Sequence, residues 1–453
     1  MSHLTCFKAY DIRGVVPDEL DEALAYRIAR AYAALFSPRR VAIGRDVRPS
    51  GTSLAAALTR GFVDAGVDVV DIGLCGTEEV YFATFHLKLD GGIMVTASHN
   101  PSEYNGMKLV REQAIPISSE TGLQEIARLV TEERFEDKAE RPGEVKRLDI
   151  RSAYVSHLMG YVESERLRPL RIACNPGNGT AGLVLEHLKE RLPFEFIVRY
   201  GEPDGTFPNG VPNPLLPENR SATADLVRDT GADLGIAWDG DFDRCFFFDE
   251  RGEFVEGYYI VGLLARAILE QHPGGAIVYD PRLTWNTIEI VETHGGRPIL
   301  CKSGHAFIKA KMRAEDAVYG GEMSAHHYFR DFSYCDSGMI PWLLITELLS
   351  RTDRPLSELV AERIDKFPCS GEINRTIADP DAALKRVEEV YASSAKTVMH
   401  VDGVSMEFDR WRFNLRKSNT EPLVRLNVET KGDRALLQEK TEELLKLLAE
   451  VSG

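Results

Sequence analysis

Short apolar runs alternate with amphipathic segments along most of this sequence. In an early segment, apolar side chains recur at spacings of three and four, at Leu20, Leu24, Ile28, Ala31 and Leu35. This spacing predicts one helix with a single apolar face. The runs VAIG at 41–44 and GGIMV at 91–95 have the length and composition of buried strands. Strands that alternate with helices predict doubly wound α/β domains, whose ligand-binding loops follow the carboxyl ends of the strands.

The same pattern recurs up to about residue 367, and the remainder of the chain differs. Strand-like runs begin the segments LRIACNPGNGTAG, GADLGIAWDGDFDR and DAVYGGEMSAHH. In the remainder, GVSMEFDRWRFNLRKSNTEPLVRLNVE predicts two strands joined by a loop. A helix follows, with one apolar face formed by Leu437, Leu444, Leu445 and Leu448. We therefore expect α/β domains at 1–150, 151–252 and 253–367 and a smaller α+β domain at 368–453.

The charge balance and the cysteines limit the partners and the compartment. The chain of 453 residues has 54 Lys and Arg and 70 Asp and Glu, which gives a formal net charge of −16. It has no basic stripe of the kind that nucleic-acid-binding proteins present, so we expect no nucleic acid partner. Seven widely spaced cysteines without a CxxC pair indicate reduced thiols. No secretory signal or membrane-length apolar run is present, so we expect a soluble cytoplasmic protein without a membrane partner.

The acidic loop DGDFDR at 239–244 follows a predicted strand. Its residues Asp239, Asp241 and Asp243 alternate, and alternate carboxylates in a loop can converge on one hard cation such as Mg²⁺. Arg244, directly after them, can bind a phosphate or a carboxylate through two N–H groups. A solvated acidic turn explains the same residues, so the loop alone leaves metal binding open.

The loop RKSNTEP at 416–422 carries groups that can surround a phosphate. These groups are the guanidinium of Arg416 and the short polar side chains of Ser418, Asn419 and Thr420, with Arg425 shortly after them. An arginine and several small hydrogen-bond donors can bind a phosphate without a metal. An ordinary hairpin loop is the alternative interpretation.

The loop GGEMSAHH at 320–327 carries groups suited to a sugar. Glu322 and Ser324 can bind sugar hydroxyls, and His326 or His327 can move a proton near neutral pH. Adjacent histidines point in different directions, so we expect at most one of them to act. A structural role is the alternative for each histidine.

TASHNP at 96–101 places Ser98 at the end of the run GGIMV. No G-x-S-x-G segment surrounds this serine, so a hydrolase triad is poorly supported. A serine can instead carry a phosphoryl group, with a cation to neutralise the charge, and His99 and Lys108 lie nearby in the sequence. The alternative is that Asn100 and Pro101 simply begin a surface turn.

Together these segments resemble the α-D-phosphohexomutase family. The matching segments, in order, are AYDIRG at 9–14, TASHNP, DGDFDR, GEMSAHH and RKSNTEP, and they span nearly the whole chain. Longer stretches such as GGEMSAHHYFRDFSYCDSGMIPWLL resemble the family's bacterial phosphomannomutase subgroup. The resemblance implies three related α/β domains with mixed sheets and a smaller C-terminal α+β domain around a central cleft. It also implies that the bend in TASHNP directs Ser98 towards the carboxylates of DGDFDR.

The residues and the resemblance together give a set of expected site positions. Mg²⁺ is expected at Asp239, Asp241 and Asp243 with an oxygen of phosphorylated Ser98. The expected catalytic residues are Ser98, Arg13, His99, Lys108, Arg244 and His326. The expected substrate-binding residues are Tyr10, Arg282, His305, Glu322, Met323, Ser324, Arg416, Ser418, Asn419, Thr420 and Arg425. Among the catalytic residues, Lys108, His99 and His326 are alternatives for proton transfer.

The resemblance implies the interconversion of mannose 6-phosphate and mannose 1-phosphate through phospho-Ser98 and a hexose 1,6-bisphosphate, which also serves as the activator. Glu322-Met323-Ser324 differs from the GEES of glucose-selective and the GEQS of glucosamine-selective relatives, which favours mannose. Acceptance of both glucose and mannose phosphates stays open. A metal-dependent sugar phosphatase and a non-catalytic phosphosugar-binding protein are two further hypotheses. We expect a phosphosugar substrate, a role in supplying GDP-mannose synthesis, and a monomer or weak homodimer.

Overall fold

The computed structural model describes residues 4–417 and 423–451, which form two compact units. The first unit contains the chain up to Phe254 together with His326–Asp353. The second contains Val255–Ala325 and the chain from Arg354 onward. Within the described ranges, no helix is both long enough and apolar enough to cross a membrane.

The first unit begins with a six-stranded mixed sheet. Its elements are β1 (Ile12–Val15), α1 (Glu22–Phe36), β2 (Arg40–Arg45), α2 (Gly51–Asp64), β3 (Asp68–Leu74), α3 (Thr77–His86), β4 (Gly91–Val95), β5 (Tyr104–Arg111), α4 (Gln124–Glu132) and β6 (Val145–Arg147). The strand order is β1-β5-β4-β2-β3-β6, with β4, β2, β3 and β6 parallel and β5 antiparallel to both of its neighbours. The loops after β2 and β4 therefore leave the same edge of the sheet.

The helix predicted from the first apolar stripe is confirmed as α1. Asp21 caps its N-terminus, because its carboxylate accepts a hydrogen bond from the Leu24 N–H at 2.7 Å. The predicted stripe residues Leu20, Leu24, Ile28 and Ala31 are buried, and Leu35 packs partly buried against the same core. The stripe thus joins the helix to the core of the first sheet.

A second mixed sheet follows in the same unit. Its elements are α5 (Arg151–Leu158), β7 (Arg171–Asn175), α6 (Ala181–Leu188), β8 (Glu195–Val198), α7 (Ser221–Thr230), β9 (Leu234–Trp238), β10 (Cys245–Phe248) and β11 (Phe254–Val255). Strands β9, β7 and β8 are parallel, and β10 is antiparallel to β9. The acidic segment predicted to follow a strand is the turn between β9 and β10.

The second unit begins with a parallel arrangement, β13-β12-β14. Its elements are α8 (Gly257–Gln271), β12 (Ala276–Tyr279), α9 (Trp285–Thr293), β13 (Arg297–Leu300), α10 (His305–Glu315) and β14 (Tyr319–Gly321). The chain then returns to the first unit with β15 (His327–Phe329), β16 (Cys335–Asp336) and α11 (Ile340–Thr352), where β15 and β16 pair antiparallel.

The C-terminal part of the second unit is an antiparallel sheet covered by helices. Its elements are α12 (Leu356–Lys366), β17 (Ile373–Thr376), α13 (Pro380–Tyr391), β18 (Thr397–Met399), β19 (Val404–Glu407), β20 (Trp411–Lys417), β21 (Leu423–Thr430) and α14 (Arg434–Val451). The strand order is β17-β21-β20-β19-β18. Leu444 and Leu448 of α14 are buried against this sheet, with Leu437 and Leu445 partly buried beside them, which confirms the predicted apolar face.

One prediction for this region is wrong. The segment predicted as two strands contains three, namely β19, β20 and β21. A tight turn separates the first two, where the Phe408 N–H donates to the Trp411 carbonyl at 2.9 Å. This turn contains Asp409 and Arg410 but no glycine or proline, so it lacks the usual sequence signal for a turn. The overall class, mixed α/β sheets followed by a smaller α+β domain, is confirmed.

Candidate active site

Ser98 lies in the loop between β4 and β5 and has a left-handed backbone, with φ of 50°. Its N–H donates to the Thr96 hydroxyl at 2.9 Å, and the Asn100 N–H donates to the Ala97 carbonyl at 3.0 Å. A left-handed conformation is costly for a residue with a side chain and persists where its surroundings hold it. The predicted turn therefore exists, but Ser98 is only 2% exposed, so it is not part of a solvated surface turn.

Arg48 and Asp46, in the loop after β2, hold the serine loop in place. The buried guanidinium of Arg48 donates to four carbonyl oxygens, those of Ser98 (2.9 Å), Asn100 (2.6 Å), Pro101 (2.5 Å) and Tyr104 (2.9 Å). Asp46 lies 3.3 Å from Arg48 Nε and accepts a hydrogen bond from the Thr96 hydroxyl at 2.7 Å. These contacts give the carbonyls of the turn a charged donor, and they fix the conformation around Ser98.

We expect Arg48→Met to lower the free energy of unfolding by about 3–5 kcal/mol, because it leaves the buried Asp46 carboxylate without its counter-ion and removes the charged donor from four backbone carbonyls. Urea-induced unfolding followed by tryptophan fluorescence measures this loss. The matched control is Arg60→Met, which removes an exposed arginine of α2 and should change the stability by less than about 0.5 kcal/mol. Equal effects of the two substitutions would contradict the prediction.

The aspartates of DGDFDR are buried at the turn between β9 and β10. Asp239 and Asp241 are 0% exposed and Asp243 is 2% exposed, which excludes a solvated acidic turn. One carboxylate oxygen from each lies within 4.8 Å of the others. The Ser98 hydroxyl donates to Oδ2 of Asp239 at 2.8 Å. The structure therefore brings together the serine and the acidic loop, as the sequence predicts.

Two glycines permit this close packing. A Cβ atom at Gly240 would lie 2.7 Å from the carbonyl oxygen of Ser98. A Cβ atom at Gly76, just before α3, would lie 2.1 Å from the ring of Phe242. Because real Cβ atoms do not approach other atoms so closely, both positions require glycine for the acidic loop to reach the serine.

Lys108 on β5 pairs with two of the carboxylates. Its ammonium donates to Oδ2 of Asp241 at 2.7 Å and to Oδ2 of Asp243, and the Thr77 hydroxyl also donates to Asp241, at 2.5 Å. Burial disfavours the charged lysine, but the attraction of Asp241 and Asp243 outweighs it and raises the pKa of Lys108. The lysine is therefore charged at neutral pH and stabilises the two carboxylates electrostatically.

The aspartate cluster fits a divalent cation. Within residues 4–417 and 423–451, Oδ1 of Asp241 and Oδ1 of Asp243 are buried and accept no hydrogen bond. Buried carboxylate oxygens without donors are suited to metal ligation, and a donor set made only of oxygens is the one that Mg²⁺ prefers. Asp243 also belongs, with His326 and Asp336, to a second group whose ligand atoms lie within 4.8 Å of one another.

Arg244 connects the acidic loop to His99. Its Nε donates to Oδ2 of Asp239 at 2.8 Å, and its NH2 group contacts Nδ1 of His99 at 2.6 Å. Because an arginine nitrogen can only donate, Nδ1 of His99 carries no proton. Burial and the nearby Arg244 charge hold the pKa of His99 well below its usual value, so the ring is neutral. The same Nδ1 lies 3.1 Å from the Ser98 hydroxyl.

The two adjacent histidines have different surroundings. His327 is fully buried in β15, where burial lowers its pKa to about 3, so it is a neutral core residue. His326 is partly exposed, and its Nδ1 lies 2.9 Å from Oδ2 of Asp336. The carboxylate of Asp336 can only accept, so it places the ring proton on Nδ1 and makes Nε2 the basic nitrogen of the neutral ring. Of the pair, His326 is the one suited to proton transfer.

Arg13 on β1 contacts the serine loop. Its NH1 group donates to Oδ1 of Asn100 at 2.8 Å, and its Nε donates to Asp11 at 2.7 Å. All six predicted catalytic side chains thus lie at the serine loop or at the carboxylates it faces. Tyr10, predicted to bind substrate, is partly exposed two residues before β1.

In the second unit, Arg282 contacts the predicted sugar loop. Asp280, directly after β12, binds its guanidinium through two hydrogen bonds of 2.8 Å. The NH2 group of Arg282 lies 3.3 Å from the Ser324 hydroxyl and 3.5 Å from Oε1 of Glu322. Because Asp280 binds the guanidinium bidentately, Arg282 is held in one orientation beside both predicted sugar ligands.

The backbone of the sugar loop is fixed by the same groups. Oε1 of Glu322 accepts a hydrogen bond from the Gly304 N–H at 2.9 Å, and the Met323 N–H donates to Oδ2 of Asp280 at 3.0 Å. His305 follows Gly304 and begins α10, so the structure places this predicted residue beside Glu322.

The described part of the predicted phosphate site consists of arginines around one glutamate. Arg416 on β20 lies directly opposite Arg425 on β21. The carboxylate of Glu372 lies 2.9 Å from Arg416 NH2, 3.4 Å from Arg425 NH1 and 3.7 Å from Arg282 NH1. The other predicted members, Ser418, Asn419 and Thr420, lie outside the described residues.

Sequence reasoning missed several residues of these clusters, among them Asp46, Arg48, Thr77, Asp280, Asp336 and Glu372. The segment RDVRPSG directly follows the strand VAIG. Because ligand-binding loops follow the carboxyl ends of strands, this position could have indicated Arg48 and Asp46 as site residues. Glu372 precedes a strand and lies in no recognisable motif, so the sequence offered no comparable signal.

Four family models match the chain in order. They describe phosphoglucomutase/phosphomannomutase alpha/beta/alpha domain I at residues 5–137, domain II at 152–252, domain III at 256–367 and the C-terminal domain at 372–449.

Relatives match over their full length. A protein of Xanthomonas campestris described as phosphohexose mutases is 60% identical over 445 residues, which cover 98% of this chain and 99% of that protein. A phosphomannomutase of Salmonella typhimurium is 58% identical over 454 residues, which cover 99% of this chain and 100% of that protein. The crystal structure of a phosphoglucomutase/phosphomannomutase family protein from Burkholderia thailandensis matches with a TM-score of 0.87 at 32% identity, covering 100% and 99% of the two chains.

Proposed function

The chain belongs to the phosphoglucomutase/phosphomannomutase family of phosphohexomutases, and from that premise we propose that it interconverts mannose 6-phosphate and mannose 1-phosphate. The observation that carries the proposal is the Ser98 hydroxyl at 2.8 Å from Asp239, within a cluster of buried carboxylates. A serine in such a position can carry a phosphoryl group, because phosphoryl transfer depends mainly on positioning and charge neutralisation. The names of the relatives support mannose as the sugar.

In the proposed reaction, phospho-Ser98 transfers its phosphoryl group to the free hydroxyl of a sugar monophosphate. The bond from phosphorus to Oγ breaks, a bond to the sugar oxygen forms, and the hydroxyl proton leaves. The product of this step is a hexose 1,6-bisphosphate, which turns around in the site. Its other phosphoryl group then returns to Ser98, and the released sugar oxygen takes up a proton. A hexose 1,6-bisphosphate supplied from outside would phosphorylate Ser98 and so act as the activator.

The first unit supplies the groups at the reacting end. Arg244, which contacts Asp239 and His99 beside the serine, neutralises charge on the transferring group. Mg²⁺ held by Asp239, Asp241, Asp243 and a phosphoserine oxygen would add further neutralisation. Lys108 is charged, and His99 is a poor base because its Nδ1 lone pair accepts a hydrogen bond from Arg244 and its pKa lies well below the usual value. We therefore propose that Nε2 of His326 accepts and returns the proton. Arg13 and Arg48 position the loop that carries Ser98.

The second unit supplies the groups for the rest of the substrate. Glu322 and Ser324 bind sugar hydroxyls, with Met323 and His305 beside them and Arg282 holding them in place. The distal phosphate binds Arg416 and Arg425 with Ser418, Asn419 and Thr420. Tyr10 stays a further proposed substrate-binding residue. Binding energy from the distal phosphate aligns the reacting end of the sugar. The division into domains at 150, 252 and 367 stays a prediction.

We also propose where the enzyme acts. Its seven cysteines are free thiols, which fits a reducing compartment such as the cytoplasm. The mannose 1-phosphate that it forms is a substrate for nucleotide-sugar synthesis of the GDP-mannose type. We expect the protein to act as a monomer or weak homodimer.

Measurement of the intact mass tests the proposed function directly. We expect the purified protein to carry one phosphate on Ser98. If that phosphate carries heavy oxygen isotopes, incubation with unlabelled mannose 1-phosphate should replace it with an unlabelled one, because the label passes to the sugar and the other phosphoryl group returns to Ser98. Phosphorus NMR of the mixture should then show mannose 6-phosphate without stoichiometric inorganic phosphate. Stoichiometric release of inorganic phosphate would identify a phosphatase instead, and unchanged sugar with no phosphoserine would identify a binding protein.

A further inference from the structure

Glu372 is a partly buried carboxylate that binds the arginines of the distal phosphate site. It lies directly before β17, which pairs with β21, the strand that carries Arg425. Its Oε2 lies 2.9 Å from Arg416 NH2 and 3.7 Å from Arg282 NH1, and its Oε1 lies 3.4 Å from Arg425 NH1. One carboxylate thus contacts three guanidinium groups of the second unit.

The position of Glu372 has an electrostatic reason. Arg416 and Arg425 occupy directly opposite positions on neighbouring strands, where like charges repel. Burial disfavours the charge on Glu372, but Arg282, Arg416 and Arg425 outweigh it and hold its pKa below the usual value. The glutamate is therefore ionised at neutral pH and reduces the repulsion between the two arginines.

Glu372 uses the same N–H groups that a phosphate would need. Arginine binds carboxylates and phosphates in the same way, through N–H groups at the end of the guanidinium. The contacts of Glu372 are made by these terminal nitrogens of Arg416 and Arg425, not by their Nε atoms. Glu372 contacts one terminal nitrogen of each arginine, NH2 of Arg416 and NH1 of Arg425. A phosphate that binds these two nitrogens must share them with Glu372 or displace it.

We propose that Glu372 competes with the distal phosphate of the substrate for Arg416 and Arg425. The glutamate keeps the two arginines in position and lowers their affinity for the phosphosugar. This inference rests on the proposed function. A mutase of this kind must release the distal phosphate within each turnover, because the bisphosphate has to turn around before its second transfer. Without the competing carboxylate, the arginines would bind the bisphosphate intermediate more tightly. Binding that is equally strong in the ground state and in the transition state slows release of the intermediate and does not accelerate the chemical step.

The test compares Glu372→Gln and Glu372→Asp with the unmodified full chain. Calorimetric titration with inorganic phosphate measures affinity, and mutase assays with mannose 1-phosphate measure kcat and KM. We expect Glu372→Gln to bind phosphate about tenfold more tightly and to lower both KM and kcat, because one acceptor with a full charge has been removed. Glu372→Asp keeps the charge but shortens the reach, so it should tighten phosphate binding by no more than about threefold.

Two controls assign the effect to this site. Glu450→Gln changes the net charge by the same amount on the exposed side of α14 and should leave phosphate affinity unchanged. Arg416→Met combined with Glu372→Gln should remove the gain in affinity. Circular dichroism and the unfolding temperature verify that each variant is folded.

Weaker phosphate binding by Glu372→Gln, or a raised KM with unchanged kcat, would show that Glu372 only organises the arginines and would overturn the proposal. A gain in affinity that persists without Arg416 would also overturn it. The phosphate titration does not require turnover. It therefore tests whether Glu372 and phosphate compete even if the unmodified protein lacks mutase activity. The absence of that activity would count against the proposed function and not against the competition.

Discussion

Replacing Ser98 with alanine is expected to lower kcat/KM for mannose 1-phosphate by about 10⁴-fold or more, because the proposed reaction passes through phospho-Ser98 in every turnover. The substitution deletes only the hydroxyl that donates to Asp239, and it leaves the backbone contacts of Arg48 in place. The protein should therefore remain folded but carry no phosphate. A coupled assay with a hexose 1,6-bisphosphate present and an intact-mass measurement check both expectations.

Ser102→Ala is the matched control for this substitution. Ser102 lies in the same loop, and its removal should leave both turnover and phosphate incorporation within about twofold of the unmodified protein. If Ser98→Ala turned over at a near-native rate, Ser98 would not be the phosphoryl carrier. The same conclusion would follow if the one bound phosphate were found on another residue.

Asp241→Asn is expected to lower kcat/KM by about 10³-fold, because a bound metal contributes several kcal/mol to stabilising transition-state charge. The substitution keeps the shape of the side chain but removes one of the carboxylates that Lys108 joins. Because the lysine then neutralises a larger part of the remaining charge, Mg²⁺ should bind weakly. We expect the rise in unfolding temperature on adding Mg²⁺, measured by differential scanning calorimetry, to disappear.

Asp249→Asn separates metal binding from the loss of a buried charge. Asp249 is also buried after β10, where it accepts hydrogen bonds from the N–H groups of Arg251 at 3.0 Å and Glu253 at 2.9 Å, outside the aspartate cluster. This variant should keep the full response to Mg²⁺. If Asp241→Asn kept that response as well, the DGDFDR loop would not be the metal site.

Much of the fold could be predicted from the sequence, and so could the contact between Ser98 and the aspartates of DGDFDR. Helix α1 followed from the spacing of one apolar face, and strands β2 and β4 followed from short continuous apolar runs, every residue of which is buried. Ser98 and the aspartates could be expected to meet because each loop follows the carboxyl end of a strand. Their roles in catalysis stay predictions until the substitutions above are made.

The residues that position these groups could not be predicted in the same way. Arg48 acts through backbone carbonyls that any residue at positions 98, 100, 101 and 104 would present, so no side-chain pattern marks its partners. Asp336 contacts His326 across a short hairpin, and Glu372 contacts Arg416 from the segment just before β17. Such contacts arise from three-dimensional packing and leave no spacing in the sequence.

The close approach at Gly240 has a consequence for how this chain can vary. Even an alanine there would place a methyl group 2.7 Å from the carbonyl of Ser98, and the acidic loop would have to move away from the serine. The position contributes no side chain to the cluster, yet we expect its replacement to be as damaging as loss of one of the aspartates on either side of it. Gene variants at this codon would therefore be expected to resemble loss of Ser98 in their phenotype, although every side chain of the cluster would still be present.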